Sequence, residues 1–119
     1  MANFAFIGGQ LEPGQSLAEC LKAEYRQELG LNIAEPKYLF VVENRFWFGG
    51  AVFHGLEHYF LVDAPEGEVM SREAHLRFTW LPVKQLADFD LRPVVVRDAI
   101  LDDRWQYVHI LTMPFQSRI

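Results

Sequence analysis

The hydrophobic positions of the chain form short runs that glycine and proline turns separate. The first run, Asn3–Ile7, stops at Gly8-Gly9 and predicts a strand that leads into a loop extending to Ser16. Further turn signals are spread evenly along the sequence, and no repeat, low-complexity tract or linker interrupts it. This organisation predicts a single domain over residues 1–119.

The segment after the loop has the pattern of a capped helix. Ser16 followed by Glu19 forms a capping box, in which the hydroxyl accepts an N–H of the first turn and the carboxylate reaches back. Helix propensity is good through Leu29, and Gly30 supplies the left-handed residue that commonly ends a helix. We therefore predict a helix over Leu17–Leu29.

Runs rich in β-branched and aromatic residues predict strands after this helix. Tyr38–Val42 and Ala51–Val62 flank Gly49-Gly50 and predict a hairpin. The alternation of Leu, Phe and Trp with Arg and Thr predicts another strand over Leu76–Leu81. The remaining predicted elements are a short turn or helix at Pro82–Asp88, a second helix from Pro93 to about Asp102, and a strand-like tail over Gln106–Phe115.

The predicted first helix places carboxylates beside its apolar side. Glu24, Gln27 and Glu28 fall within one arc of the helix, next to an apolar stripe that includes Leu21. Mg²⁺ prefers oxygen ligands and is usually held by one or two carboxylates plus substrate phosphates. Two glutamates one turn apart are therefore sufficient for a metal site, although an isolated pair at this spacing is more often an ordinary surface pair.

The loop before the helix favours the metal-site interpretation. Gly8, Gly9 and Gly14 permit close backbone approach and positive φ angles. They precede a capped helix, and this arrangement can support an anion site because the N–H groups at a helix N-terminus attract anions. We predict that these three glycines form a phosphate loop.

The composition narrows the class of function. The chain has 11 Lys plus Arg against 16 Asp plus Glu, a formal net charge of −5, and no basic run. This negative balance argues against nucleic acid as a partner. If the protein binds phosphates, a divalent metal must bridge them to the acidic side chains, because the two carry like charges. Cys20 is the only cysteine, which excludes an intrachain disulfide and a cysteine-based zinc site and indicates a cytoplasmic setting. No window approaches the length of a membrane span.

The loop and helix together carry a family resemblance. Gly8–Ser16 followed by Ala23–Leu31 resembles the box of the Nudix (MutT-like) hydrolase family, G-x5-E-x7-R-E-U-x-E-E-x-G-U, in which U is an aliphatic residue. The spacing matches without a gap, and the consensus residues are Gly9, Glu24, Glu28, Gly30 and Leu31. The departures are Gln15 and Gln27 in place of glutamates, Ala23 in place of the arginine, and Tyr25 at an aliphatic site.

The resemblance implies an α/β (α+β) fold, a Nudix-like α/β/α sandwich with a mixed sheet. Family members usually have further strands before the glycines, so the N-terminal strands are expected to be missing or replaced here. A sheet edge left open in this way invites association. We expect either that Gln106–Phe115 folds back into the vacancy or that a second subunit covers it, making a homodimer.

The resemblance also implies hydrolysis of a pyrophosphate linkage in a nucleoside diphosphate joined to another group, with Mg²⁺ or Mn²⁺ as cofactor. By position, Glu24 and Glu28 would be catalytic residues and metal ligands, and Gln27 would offer the metal a neutral carbonyl. Either Glu24 or a downstream acid would orient or deprotonate the attacking water. Gln15 and Gln27 remove charge from the site, and Ala23 removes an arginine that fixes a carboxylate. Two hypotheses stay open: a Nudix pyrophosphatase of weakened activity, and a catalytically inactive Nudix-fold module that binds a nucleotide or a protein.

Other residues are weaker candidates. Trp47 and Phe48 could stack on a nucleobase, although an aromatic cluster beside a hairpin turn is more often core or subunit interface. His54 and His58 would point the same way on a strand but have no obvious third ligand, which argues against zinc. Acids that could compensate for the missing box glutamates are Glu12, Glu43, Glu57 and Glu73.

Overall fold

A computed structural model describes residues 3–63, 77–102, 109–111 and 116–118. They belong to two compact units, one drawn from 6–37 and 61–82, the other from 1–5, 38–60 and 83–119. The elements in chain order are β1 (Asn3–Ala5), α1 (Leu17–Leu29), β2 (Lys37–Phe48), β3 (Ala51–Leu61), a 3₁₀ helix (Val83–Asp88), β4 (Asp90–Arg92), α2 (Val94–Leu101), β5 (His109–Leu111) and β6 (Gln116–Arg118).

The helix α1 begins and ends at the predicted residues. The Ser16 hydroxyl accepts the backbone N–H of Glu19 at 3.1 Å, and the Glu19 carboxylate accepts the backbone N–H of Ser16 at 2.9 Å. Gly30 ends the helix in the left-handed conformation, with φ +67°, and its N–H donates to the carbonyl oxygen of Arg26. Both predicted caps are therefore confirmed, and they satisfy backbone groups that the helix itself leaves unpaired.

The strands form a mixed set of ladders. β2 lies between β3 and β5, and β6 also pairs with β2. The two-residue turn Gly49-Gly50 joins β2 to β3, and φ angles of +60° and +81° are those of a type I′ turn, so these strands are antiparallel. β5 and β6 run parallel to β2, and β1 runs parallel to β4. The predicted hairpin and mixed sheet are confirmed.

The unit that contains residues 38–60 has its hydrophobic core on one face of β2. Phe40, Val42 and Val96 are almost completely buried and pack together. Because alternate side chains of a strand share a face, Asn44 follows Phe40 and Val42 and is also buried. The partly buried side chains around this core are Leu39, Tyr59, Val95, Ile100 and Ile110.

Some predicted boundaries are wrong. The strand predicted at Leu76–Leu81 is absent over 77–81, where the chain has no regular secondary structure, and Trp80 is 65% exposed. Its alternating pattern found no ladder partner among the described strands, and a strand is stable only with a neighbour. β2 continues beyond the predicted end at Val42 to Phe48. Pro93 caps α2 rather than opening it.

The C-terminal tail is described only in part. Of the predicted strand Gln106–Phe115, residues 109–111 form β5, and the rest lies outside the described residues, as do Glu73 and Leu76. β4 and β6 were not predicted. The described tail strands both pair with β2. Neither described helix has the length and apolar character needed to cross a membrane.

Candidate functional site

The loop before α1 closes on itself at residues 12–15. The backbone N–H of Gln15 donates to the carbonyl oxygen of Glu12 at 3.1 Å, and the Gln15 side-chain oxygen accepts the backbone N–H of Glu12, also at 3.1 Å. Pro13 and Gly14 are the central residues, and Gly14 has φ +82°, the arrangement of a type II turn. These two hydrogen bonds hold the turn in place immediately before the N-terminal cap of the helix.

Gly9 lies directly against the side chain of Glu24. A Cβ atom added to Gly9 would overlap the Glu24 carboxylate and would lie 2.7 Å from its Cγ, closer than real Cβ atoms approach. At the neighbouring Gly8, an added Cβ would meet nothing within 4 Å. A side chain at position 9 would therefore displace the Glu24 carboxylate, whereas glycine lets the carboxylate rest on the loop backbone.

Cys20 joins the same loop to the helix one turn before Glu24. Its buried thiol donates to the backbone carbonyl oxygen of Gln10 at 3.5 Å. Burial raises the pKa of the thiol, and the negative charges of Glu24 and Glu12 raise it further. The thiol therefore stays neutral at ordinary pH and keeps its proton for this contact.

The candidate ligands on α1 differ in exposure. Glu24 and Glu28 are half-buried, whereas Gln27 is exposed. Residues four apart on a helix are neighbours, so the two carboxylates share one side. The lysine on α1, Lys22, forms a salt bridge with Glu35, in which its Nζ lies 2.5 Å from a carboxylate oxygen.

These two carboxylates form a limited but suitable donor set for a divalent cation. Within residues 3–63, 77–102 and the two short tail strands, no three His, Cys, Asp or Glu side chains form a potential metal-binding group. Mg²⁺ keeps several waters and is usually bound through one or two carboxylates plus phosphates, which a pair such as Glu24 and Glu28 can supply. The pair fits an open magnesium site and does not fit a closed cage of protein ligands.

The hairpin of the other unit holds a separate polar network. The Glu57 carboxylate accepts hydrogen bonds from the Asn44 side-chain amide and from the Tyr59 hydroxyl, each at 3.2 Å. Burial raises the pKa of Tyr59, and the charge and hydrogen bond of Glu57 raise it further. Glu57 therefore satisfies two partly buried donors, which explains how the polar Asn44 is tolerated on a core-facing strand.

The histidines of the hairpin have different neighbours. His54 Nε2 lies 3.4 Å from a carboxylate oxygen of Glu43, and His58 Nδ1 lies 3.0 Å from the hydroxyl of Tyr38. Both contacts are on the protein surface, with His54 55% exposed. The two imidazoles thus contact different groups instead of converging on a shared ligand position.

Comparison with known proteins identifies the family from which this geometry comes. The model of the NUDIX domain matches residues 1–101, which is most of the chain. The chain belongs to the Nudix family. The match supports a function of the Nudix hydrolase type in general, and the family generally uses divalent metal ions. No curated protein sequence matches the chain.

A solved structure shares the fold. The solution structure of the E. coli ORF135 protein is similar with a TM-score of 0.62 and 24% sequence identity, over 84% of this chain and 69% of that one. At this identity the likeness concerns the fold alone. Together with the family match, it confirms the predicted Nudix-like α/β fold.

The structure clarifies how individual positions of the Nudix box are used. Gln15 bonds its own turn, so the amide contributes an acceptor to the loop. The glycines differ in role, because Gly9 gives space, Gly14 has a positive φ, and Gly8 has neither feature. The amide of Gln27 is the outlying member of the predicted ligand set, since it is exposed while Glu24 is half-buried.

Sequence reasoning missed three side-chain contacts. The Pro13-Gly14 pair is a sequence typical of a turn, but it gives no signal for the Gln15 bond that completes the turn. The Cys20–Gln10 contact has no sequence signature, and the Asn44–Glu57 contact depends on strand register. Trp47 and Phe48, the candidates for base stacking, are 42% and 61% exposed.

Proposed function

We propose that the chain is a Mg²⁺-dependent Nudix hydrolase that cleaves the pyrophosphate linkage of a nucleoside diphosphate joined to another group. The proposal rests on the placement of Glu24, which is half-buried on α1, one turn from Glu28, and in contact with Gly9 of the loop. The loop and the two carboxylates therefore belong to one compact unit.

The side chains of α1 have separable roles in this proposal. Glu24 and Glu28 would hold the metal, and a bound Mg²⁺ or Mn²⁺ would polarise a phosphoryl oxygen. Glu24 is also our candidate for accepting a proton from the attacking water. Gln27 contributes at most a neutral carbonyl, and water can replace it in the coordination shell of magnesium.

The loop would bind phosphate and keep Glu24 in place. Its glycines at positions 8 and 14 leave the backbone open to close approach, whereas the Glu24 carboxylate lies over Gly9. The turn at Glu12–Gln15 and the Cys20–Gln10 contact hold this segment beside α1. A fixed loop limits the movement of the Glu24 carboxylate, which is the kind of support that metal ligands require.

Hydrolysis of a panel of nucleoside diphosphate derivatives, with and without Mg²⁺, tests the proposal. Glu28→Gln keeps the size of the side chain and removes its charge, so we expect a rate loss of at least about tenfold and a weaker dependence on Mg²⁺. Glu35→Gln is the matched control, because Glu35 is an exposed acid of the same unit that pairs with Lys22. We expect it to retain the parental rate.

The same experiment separates the enzyme from an inactive binding module. Metal-dependent turnover that Glu28→Gln removes supports the hydrolase. Nucleotide binding measured by calorimetry that is indifferent to Mg²⁺, with no turnover on any member of the panel, contradicts it. An unchanged rate in Glu28→Gln excludes the assigned role of this carboxylate.

A further inference from the structure

The side chain of Gln15 closes the turn that precedes α1. Its amide oxygen accepts the backbone N–H of Glu12 at 3.1 Å, and the backbone N–H of Gln15 donates to the carbonyl oxygen of Glu12, also at 3.1 Å. Both backbone groups of Glu12 are therefore bonded to the same residue. Pro13 cannot donate a backbone hydrogen bond and Gly14 is conformationally permissive, so the closed form of the turn depends on these two bonds.

The closed turn anchors the segment of the loop on which Glu24 rests. Gly9 lies three residues before Glu12, and the Glu24 carboxylate occupies the space that a side chain at Gly9 would take. Between the turn and Gly9, the carbonyl oxygen of Gln10 accepts a hydrogen bond from the Cys20 thiol at 3.5 Å. A thiol is a weak donor, so this contact needs the turn as a second anchor to keep Gly9 beside the carboxylate.

The acceptor that closes the turn does not have to be charged. The Glu12 N–H needs an oxygen, and an amide oxygen and a carboxylate oxygen, on side chains of the same length, can both supply it. The surroundings are already negative, because the charges of Glu24 and Glu12 both raise the pKa of the Cys20 thiol. The neutral amide of Gln15 therefore closes the turn without adding a further negative charge to this region.

We propose that Gln15 is a positioning residue for the Glu24 carboxylate and acts through the acceptor oxygen of its amide rather than through charge. The inference rests on the proposed function, because the carboxylate that Gln15 positions is the proposed metal ligand. It also changes the interpretation of the Nudix box, since the glutamine keeps the support that a glutamate at this position would give to the loop. Restoring the glutamate should therefore add nothing to hydrolysis.

Nuclear magnetic resonance of the isotope-labelled whole chain tests the positioning without metal or substrate. A Cβ added at Gly9 would lie 2.7 Å from Glu24 Cγ, so the Gly9 α-proton that points the same way should give a strong Overhauser effect with the Glu24 γ-protons. Gln15→Leu removes the acceptor. We expect it to lose this Overhauser effect and to speed hydrogen exchange of the Glu12 N–H at least about fivefold, the effect of one net hydrogen bond. Gln15→Glu should retain both signals.

Hydrolysis and calorimetric Mg²⁺ titration of the same variants test the consequence for the site. We expect Gln15→Leu to lower Mg²⁺ affinity about tenfold, because support of a metal ligand is lost, and Gln15→Glu to stay within about twofold of the parent. Gln85→Leu is the matched control, since Gln85 is an exposed glutamine on the 3₁₀ helix of the other unit. It should leave every readout unchanged, with circular dichroism confirming that each variant folds.

Either a parental Overhauser effect or a parental Mg²⁺ affinity in Gln15→Leu overturns the inference. Gln15→Met, which keeps the unbranched shape of the side chain, decides the question if Gln15→Leu does not fold. A Gln15→Glu variant that binds Mg²⁺ or hydrolyses at least about tenfold better than the parent also overturns it, since charge would then be what the position lacks. A parent that neither binds Mg²⁺ nor hydrolyses any substrate contradicts the proposed function, and the Overhauser effect and the exchange of the Glu12 N–H then decide the role of Gln15.

Discussion

The loop–helix segment and the β2–β3 hairpin are held together in different ways. In the loop–helix segment, polar contacts join near neighbours, as in the reciprocal bonds of Ser16 with Glu19 and of Glu12 with Gln15. In the hairpin, side chains meet across the strands, as Glu57 does with Asn44. The first arrangement fixes a small set of atoms accurately, which suits a chemical site. The second depends on register and leaves its tip exposed.

The two regions also use glycine for opposite reasons. Gly9 in the loop has no positive φ, and a side chain there would displace the Glu24 carboxylate, which occupies that space. Gly50 in the hairpin turn has open space around it and is needed because its φ is +81°. A methyl group added at Gly9 therefore perturbs the placement of the Glu24 carboxylate. A methyl group added at Gly50 perturbs the conformation of the turn.

The largest effect should follow from Gly9→Ala. The added methyl group would displace the Glu24 carboxylate, and we expect hydrolysis to fall about 10- to 100-fold, with a parallel loss of Mg²⁺ affinity, because ligand support is lost. Rates and calorimetric Mg²⁺ titration measure this, and thermal melting shows whether the fold survives.

Gly8→Ala is the comparison for this substitution. An added Cβ at Gly8 meets nothing within 4 Å, so the loss should be far smaller than for Gly9→Ala. Equal effects of the two substitutions would mean that general loop flexibility, rather than contact with Glu24, explains the requirement for glycine.

The contrast explains how much the sequence could predict. The limits of α1 and both of its caps follow from residues close together, Ser16, Glu19 and Gly30, and the structure confirms them. The end of β2 was predicted too early because Glu43-Asn44-Arg45 is polar. Asn44 is nevertheless buried in the strand, since Glu57 on the neighbouring strand satisfies it. Because Glu57 is distant from Asn44 along the chain, the pattern of residues around Asn44 could not predict this contact.

Short strands with distant partners were also beyond local reasoning. β4 has three residues and pairs with β1 at the other end of the chain, so neither its length nor its periodicity gives a signal. The reverse error occurred at 77–81, where an alternating pattern predicted a strand that the structure lacks. In the candidate site, the Nudix box placed Glu24 on the correct helix, but the contact with Gly9 required coordinates.

A smaller effect should follow from Gly50→Ala in the hairpin. A left-handed conformation costs an L-residue about 1–2 kcal/mol, so the free energy of unfolding should fall by about that amount while hydrolysis per folded molecule is retained. Gly50→Asn should recover part of the loss, because asparagine tolerates this conformation better. Gly55→Ala, at a strand glycine without positive φ or close neighbours, is the control for chemical denaturation. A loss as large at Gly55 would contradict the turn explanation.

The smallest effect concerns the charge in the capping box. The backbone N–H of Ser16 holds the pKa of Glu19 below its ordinary value of 4.5, and the Ser16 side chain and Lys22 lower it further. Because the folded-state pKa is depressed, the stabilisation is complete above the unfolded pKa and is lost as pH falls through the folded value. Glu19→Gln keeps an acceptor oxygen but cannot titrate. The difference in melting temperature between the parent and this variant should therefore shrink as the pH falls from about 5 to about 3.

Both proteins share all other carboxylates. Taking the difference between their melting temperatures at each pH therefore removes the contribution of those carboxylates. Glu19 is exposed, so the difference should be small and should also shrink as salt is added. Parallel curves at all pH values would show that the carboxylate adds no charge-dependent stability to the cap. The cap would then stabilise the loop–helix segment through its hydrogen bonds and not through the charge of Glu19. In the hairpin, Glu57 also accepts two hydrogen bonds, but its two donors are partly buried.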